Sequence, residues 1–281
     1  METASNILPK IIWFLWFQGY EKAPYVVKKC LASWRENNPG WKIVFLEEQN
    51  LKEYIDTKEI IGGNDSYVSR QALSDIIRIN LLKKYGGVWV DSTCFCCNPL
   101  DDWLDSYMNN GFFAFDRPRI DVPISSWFLA SCLGSQLTSA YCEEVNSYWS
   151  KNCFSNQNNM IGKLYRVIFE IIFKHINCES TIFLFLCQFV KKFKIYPYFW
   201  FHHVFAFLIM NNNVCKKEWR SIKKYSADIP HKLQHFGLFK PLSEQIKMTI
   251  DEKRDPLYKL TWRYDENEYT PTCTLSYLLE H

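Results

Sequence analysis

The chain has 281 residues, 48% of them hydrophobic, 22% charged and 17% aromatic, which is enough apolar content for one substantial core. Its formal net charge of +3 excludes a nucleic-acid-binding surface spread over the whole protein, leaving only local basic patches to attract phosphates or anionic lipid. Eleven cysteines in a chain this long do not make a small disulfide scaffold, and the N-terminal METASNILPK has neither the basic nor the apolar region of a signal peptide, so a reducing, cytoplasmic setting is expected.

In chain order, KIIWFLWF (10–17) reads as a buried first strand, ended by Gln18 and Gly19. Pro24 to Asn37 predicts a helix with Val27, Cys30, Leu31 and Trp34 on one stripe; after the turn Asn38-Pro39-Gly40, WKIVFLEE predicts a second strand and completes a βαβ unit. Over Ser69 to Tyr85, Ala72, Leu73, Ile76, Ile77, Leu81 and Leu82 follow helical spacing, Lys83 and Lys84 complement the C-terminal dipole, and Gly86 supplies the stop. Val88-Trp89-Val90 then reads as a strand delivering Asp91 at its carboxyl end, where ligands bind in open α/β sheets.

Further along, GFFAF and SSWFLA predict two strands flanking a polar surface loop, DRPRIDVP. Asn152 to Asn159 marks a boundary. From Met160 to Met210 the chain is aromatic, aliphatic and basic, with Leu164, Ile168, Ile171 and Ile172 at helical spacing, which predicts a helical annex over about 155–210 on a single domain spanning 1–281. The apolar stretches 181–190 and 195–210 fall short of the ~20 residues that a spanning helix needs, and the second contains Pro197 and a histidine pair, so no transmembrane segment is predicted.

On the predicted helix, Asp75 and Arg78 lie at i and i+3 and share a face, and the Gly-Gly turn returns Asp91 toward the same rim. Two carboxylates and a guanidinium suit a nucleotide-sugar site, where a carboxylate holds a divalent cation on the diphosphate and other groups fix the sugar hydroxyls. Spacing alone equally allows a surface ion pair and a strand cap. The cluster Cys94, Cys96 and Cys97 lacks the second pair of a zinc site and reads as buried thiols. His202 and His203 are adjacent, cannot share a helix face, and read as packing or acceptor-pocket residues. Lys191, Lys192 and Lys194, beside apolar faces, mark either a solvated helix end or peripheral contact with anionic membrane.

The run SDIIRINLLKKYGGVWVDST (74–93) closely resembles the SD-x-x-R-x-x-x-L-x-x-x-GG-x-[WY]-x-D core of the capsular polysaccharide synthesis family, related to glycosyltransferases with a D-x-D sugar-binding region and, more distantly, to the large clostridial glucosylating toxins. LPKIIWFLWFQG (8–19) is similar to the N-terminal strand of that group, and ISSWFLAS (124–131), YPYFWFHHVF (196–205) and YKLTW (258–262) are weaker echoes. The resemblance implies a GT-A-like (Rossmann-like) α/β fold with a helical insertion, a nucleotide-sugar donor, usually UDP-linked, and transfer with retention of configuration.

Carried onto this chain, the resemblance implies that Trp16 stacks on the uracil at a strand end shared with Gln18 and Gly19, and that Asp75 and Arg78 grip the donor sugar. Asp91 matches the first aspartate of D-x-D and would contact donor and metal, while Thr93 stands where the second aspartate would be, as the family commonly shows. A divalent cation, Mn²⁺ or Mg²⁺, would then rest on Asp91 and Thr93, with Lys259 or a histidine helping to neutralise the leaving group. Ser126 and Trp127 match a catalytic motif that toxin-like relatives place beside the sugar. The implied partners are the donor and a glycan or lipid-linked oligosaccharide acceptor in capsule or surface polysaccharide synthesis. A toxin-like protein glycosyltransferase and a non-catalytic nucleotide-sugar-binding module are the alternatives; donor sugar, linkage and oligomeric state are not legible in the sequence.

Overall fold

A computed structural model describes residues 7–264 and 266–280. The expected βαβ unit is its foundation. Ile11–Leu15 (β1) buries four of its five residues, and Tyr25–Asn37 (α1) turns Val26, Val27, Cys30, Leu31 and Trp34 inward. Lys42–Leu46 (β2) then returns parallel to β1. The short helix Lys58–Ile61 (α2) leads to Arg70–Tyr85 (α3), whose cap Ser69 accepts a hydrogen bond from the Ala72 N–H. Gly87–Asp91 (β3) pairs parallel with β1, placing Asp91 opposite Leu15 at the carboxyl edge, as the motif predicts.

Two glycines make the reversal between α3 and β3 possible. Gly86 and Gly87 have φ of 66° and 90°, and a Cβ on Gly87 would lie 2.5 Å from the Ile11 carbonyl oxygen. No side chain fits between β3 and β1 at that point.

Cys94–Cys96 (β4) and Leu100–Trp103 (α4) precede a hairpin of Phe112–Arg119 (β5) and Val122–Ser131 (β6), both antiparallel, which completes a five-stranded sheet ordered β2-β1-β3-β6-β5. Here the structure corrects the sequence reading: the predicted surface loop is mostly strand. The turn is confined to Ile120 and Asp121, and the Asp121 carboxylate is fully buried, bound by Arg119 at 2.7 and 2.5 Å. Pairing on β6 and this internal ion pair satisfy polar residues that look solvent-bound in isolation.

Gln136–Ser150 (α5) packs against α3. Then come Met160–Lys174 (α6), Thr181–Phe189 (α7), Trp200–Asn211 (α8) and Asn213–Ser221 (α9). Lys232–Phe236 (α10), Glu244–Asp251 (α11), Leu257–Lys259 (β7) and Thr274–Glu280 (α12) complete the order.

Alternation along β1 divides the core between the two faces of the sheet. Ile12 and Phe14 join α1 and the C-terminal helices, whereas Trp13 and Leu15 join α3, α5 and α8. Between residues 160 and 195, Phe169, Phe173, Phe183, Val190 and Ile195 form a separate cluster that reaches α8 through Ala206. Among the described residues no helix is long and apolar enough to cross a membrane.

Outside the main sheet, β4 pairs antiparallel with β7, setting Cys94 opposite Lys259 across 165 positions of sequence; the Leu260 N–H donates to the Thr93 carbonyl at 2.7 Å. Cys94, Cys96 and Cys97 are buried free thiols, those of Cys94 and Cys96 pushed up to about 12 by burial. They are the packed side of this ribbon.

Gly87→Ala is expected to destabilise the fold by more than about 2 kcal/mol, since it combines left-handed backbone strain with a clash against backbone. Gly63→Ala, with open space around its Cβ position, should change stability by less than about 1 kcal/mol. Chemical denaturation of the two variants beside the parent checks both.

Candidate functional site

The charged residues predicted on α3 and β3 converge at the carboxyl edge of the sheet. The Arg78 guanidinium lies 2.6 Å from Asp75 and 3.1 Å from Asp91 Oδ1, and also donates to Ser74 Oγ. It sits 5.1 Å from the Trp89 ring and 5.7 Å from the Phe201 ring of α8, so its planar faces are covered by aromatics while its edge carries the charge pairing. The Trp89 indole donates to Asp91 Oδ1 at 3.0 Å, from two positions earlier on the same strand face.

Lys259 completes the cluster from the far end of the chain. Its Nζ donates to Asp91 Oδ2 at 3.2 Å and to Thr93 Oγ1 at 2.7 Å, held there by the pairing of β7 with β4. The two oxygens of Asp91 therefore point at two different cations. The Asp91 side chain remains 28% exposed, whereas Arg78 is buried, so a ligand meets the aspartate and lysine before the arginine.

Electrostatics separate the two carboxylates. Burial alone would raise the Asp91 carboxyl, but the ammonium of Lys259, the guanidinium of Arg78 and the Trp89 hydrogen bond outweigh it and hold the group at about 2. Asp75 behaves oppositely: burial pushes it up to about 7, with Arg78 offsetting only part of the rise and the charge of Asp91 adding to it. Burial would depress the Lys259 ammonium, yet Asp91 raises it, so the lysine stays charged. The cluster thus holds one carboxylate favoured as the anion, two cations, and a second carboxyl whose burial makes it hold a proton more readily.

The other predicted residues are spread around this core. Trp16 is half-buried at the end of β1, edge-to-face with Trp262 at 5.4 Å, and its buried indole N–H has no hydrogen-bond partner among the described residues. Gln18 is exposed, and Gly19 has a φ of 82° with Glu47 close to where a Cβ would stand. Continuing the β3–β6 register beyond Val90 and Phe128 brings Trp127 beside Asp91. Trp127 is buried, stacked on Phe115 at 4.9 Å and against His231 at 5.4 Å, while Ser126 is half-buried. His202 and His203 are both buried within α8 and held below the ordinary histidine range by burial; His203 packs on Phe173 at 4.2 Å.

Trp89, Trp262 and His231 are neighbours of the cluster that the sequence reading did not single out. Trp89 had a signal, being two residues before Asp91 on one strand face. Trp262 had a weak one, as the last residue of the YKLTW echo; His231 had none, because its segment is placed by long-range backbone pairing with Asp116 on β5 and with Lys259 on β7. A cavity of about 270 Å³ lies elsewhere, between α5, α7 and α8, lined by Tyr148, Lys191, Trp200, Val204 and Phe207 among others. None of the clustered charges lines it.

A family model described as capsular polysaccharide synthesis protein matches residues 1–178 and 153–278. The chain is 27% identical over 159 residues to the O-glycosyltransferase braB of Annulohypoxylon truncatum, covering 50% of this chain and 38% of that protein. It is 26% identical over 166 residues to the uncharacterized glycosyltransferase L373 of Acanthamoeba polyphaga mimivirus, covering 57% and 64%. It therefore spans less than two thirds of the length of either relative. Among solved structures, the UDP-bound glycosyltransferase domain from the YGT toxin aligns over 89% of this chain and 90% of that one, at 11% identity and a TM-score of 0.44.

The two carboxylates should leave opposite marks on stability. Asp91, held at about 2 against an ordinary ~3.9, contributes about 2–3 kcal/mol that is present above about pH 4 and lost as pH falls through about 2. For Asp75, raised to about 7, the contribution is present below about pH 4 and lost as pH rises through about 7. Denaturation curves across this range should show Asp91→Asn flattening the acid limb and Asp75→Asn flattening the neutral one.

Proposed function

Because the chain belongs to the capsular polysaccharide synthesis protein family, we propose that it is a GT-A-like glycosyltransferase using a nucleotide-sugar donor, UDP-linked, in surface polysaccharide synthesis. The acceptor in this reading is a glycan or lipid-linked oligosaccharide. The observation that carries the proposal is the Asp75–Arg78–Asp91–Lys259 cluster at the carboxyl edge of the sheet, where an α/β fold presents its ligands.

Asp91 and Thr93 are the pair expected to take Mn²⁺ or Mg²⁺, and their arrangement does not fit a divalent cation. Both Asp91 oxygens are engaged by cations, the Thr93 hydroxyl brings no charge and already accepts from Lys259, and Asp75 is committed to Arg78. The ammonium of Lys259 stands between the two side chains in place of a metal. In this reading it meets the donor diphosphate directly and stabilises the negative charge that grows as the sugar departs. Asp75 and Arg78 hold the sugar hydroxyls, and Trp16, with Trp262 across from it, forms the aromatic corner for the base.

With no protein nucleophile required, transfer proceeds on one face of the sugar. The bond from the anomeric carbon to the diphosphate oxygen breaks, the acceptor oxygen bonds to the same face, and its proton passes to the leaving phosphate, which conserves configuration. The protein contributes position and charge, with Ser126 and Trp127 forming the adjoining wall.

Purified protein is expected to bind UDP equally with EDTA and with Mn²⁺, and to release UDP from a UDP-sugar. Lys259→Ala should lower turnover by about 10²-fold or more. Trp16→Ala should weaken UDP binding by about 1–3 kcal/mol, the range for base stacking on an aromatic. Calorimetry and a nucleotide-release assay check these; undiminished turnover in Lys259→Ala would remove the lysine from the mechanism.

A further inference from the structure

Helix α6 is apolar on two sides. Its inner side sends Phe169 and Phe173 into the annex cluster. On its outer side Met160, Ile161, Leu164, Val167, Ile168 and Ile171 are between 41 and 85% exposed and recur at the three- and four-residue spacing of a single stripe. Neighbouring α7 adds exposed Ile182 and Phe185. Isolated exposed hydrophobics are ordinary, but a continuous stripe along a whole helix marks a contact surface.

The helix cannot roll to hide this stripe. Gly162 packs so closely on the 154–159 turn that a Cβ there would lie 1.7 Å from the Asn156 carbonyl oxygen, and Asn159 caps the helix by accepting from the Gly162 N–H at 2.7 Å. The Glu170 carboxylate accepts from the Tyr198 backbone N–H, and Phe173 is wedged against His203 and Phe183.

Charge indicates the occupant. Residues 160–194 contain six Lys and Arg against two Glu, an excess of +4, whereas the whole chain carries +3; the rest of the protein is slightly acidic. Lys163 and Lys174, eleven residues and three turns apart, follow one edge of the stripe, and Lys192 and Lys194 follow α7. An apolar face bordered by lysines, on a helix of 15 residues and about 22 Å, matches the geometry of a helix lying in a membrane interface. The stripe offers aliphatic and thioether groups with no hydrogen-bonding side chain, which suits acyl chains, and the lysine border suits anionic headgroups.

We infer that the outer face of α6 and α7 is a docking surface for an anionic lipid bilayer, with the apolar stripe at the acyl boundary and the flanking lysines on the headgroups.

The test is sedimentation of the full chain with phosphatidylcholine vesicles made with and without phosphatidylserine. The parent is expected to sediment with the anionic vesicles and to be released as salt rises. The double substitution L164E/I171E should lower the bound fraction about tenfold or more with an unchanged melting temperature, since both sites are exposed. K163Q/K174Q should reduce binding to the anionic vesicles alone. Should L164E/I171E fail to fold, F185S on the other helix provides the same comparison. A parent that ignores anionic vesicles, or an L164E/I171E variant that binds like the parent, overturns the inference. So does a parent dimer that L164E/I171E splits into monomers while vesicles are ignored, which would assign the face to a second copy of the chain.

Discussion

The structure is organised around one carboxylate, that of Asp91, held between the Arg78 guanidinium and the Lys259 ammonium. A partly buried anion costs several kcal/mol unless cations and hydrogen bonds compensate it, and here each compensation comes from a different part of the chain. Helix α3 supplies Arg78, β3 supplies Trp89 and Asp91 itself, and β7 supplies Lys259. The Gly86–Gly87 reversal brings α3 back over β3, and the β4–β7 ribbon brings the C-terminal segment over both. Without either feature the aspartate would lose a counterion.

The ribbon also sets the second half of the site. Three residues after Lys259 the same segment places Trp262 against Trp16, so one short stretch defines both the charged and the aromatic ends. Helix α8 has a comparable double role. Phe201 covers Arg78, while His203 and Ala206 anchor the annex cluster, so the helix that walls the site also carries the apolar face of α6 and α7.

What the sequence disclosed follows from the range of the interactions involved. The βαβ unit, α3 with its Gly86 stop, and Asp91 at a strand end are written in local periodicity and turn chemistry, and all are found where predicted. The ion pairing of Asp75 with Arg78 is likewise local. Lys259 was named through the YKLTW echo, but its partners could not be, because a three-residue strand has no periodic signature and its pairing spans most of the chain. The loop expected around Asp121 failed for the opposite reason: its polar residues satisfy one another inside the protein, which local polarity cannot reveal. The position given to a metal was read from a motif; only the fold brings an ammonium to the same place.

If Lys259 occupies the position a divalent cation would take, a structure with bound nucleotide has to show it. The most direct test is a crystal structure of the protein with UDP grown in Mn²⁺, with anomalous scattering recorded at the manganese edge. Lys259 Nζ is expected in contact with the diphosphate and with Asp91, with no anomalous peak beside Asp91 and Thr93. A manganese peak bridging Asp91 and the diphosphate, with Lys259 displaced, would contradict it.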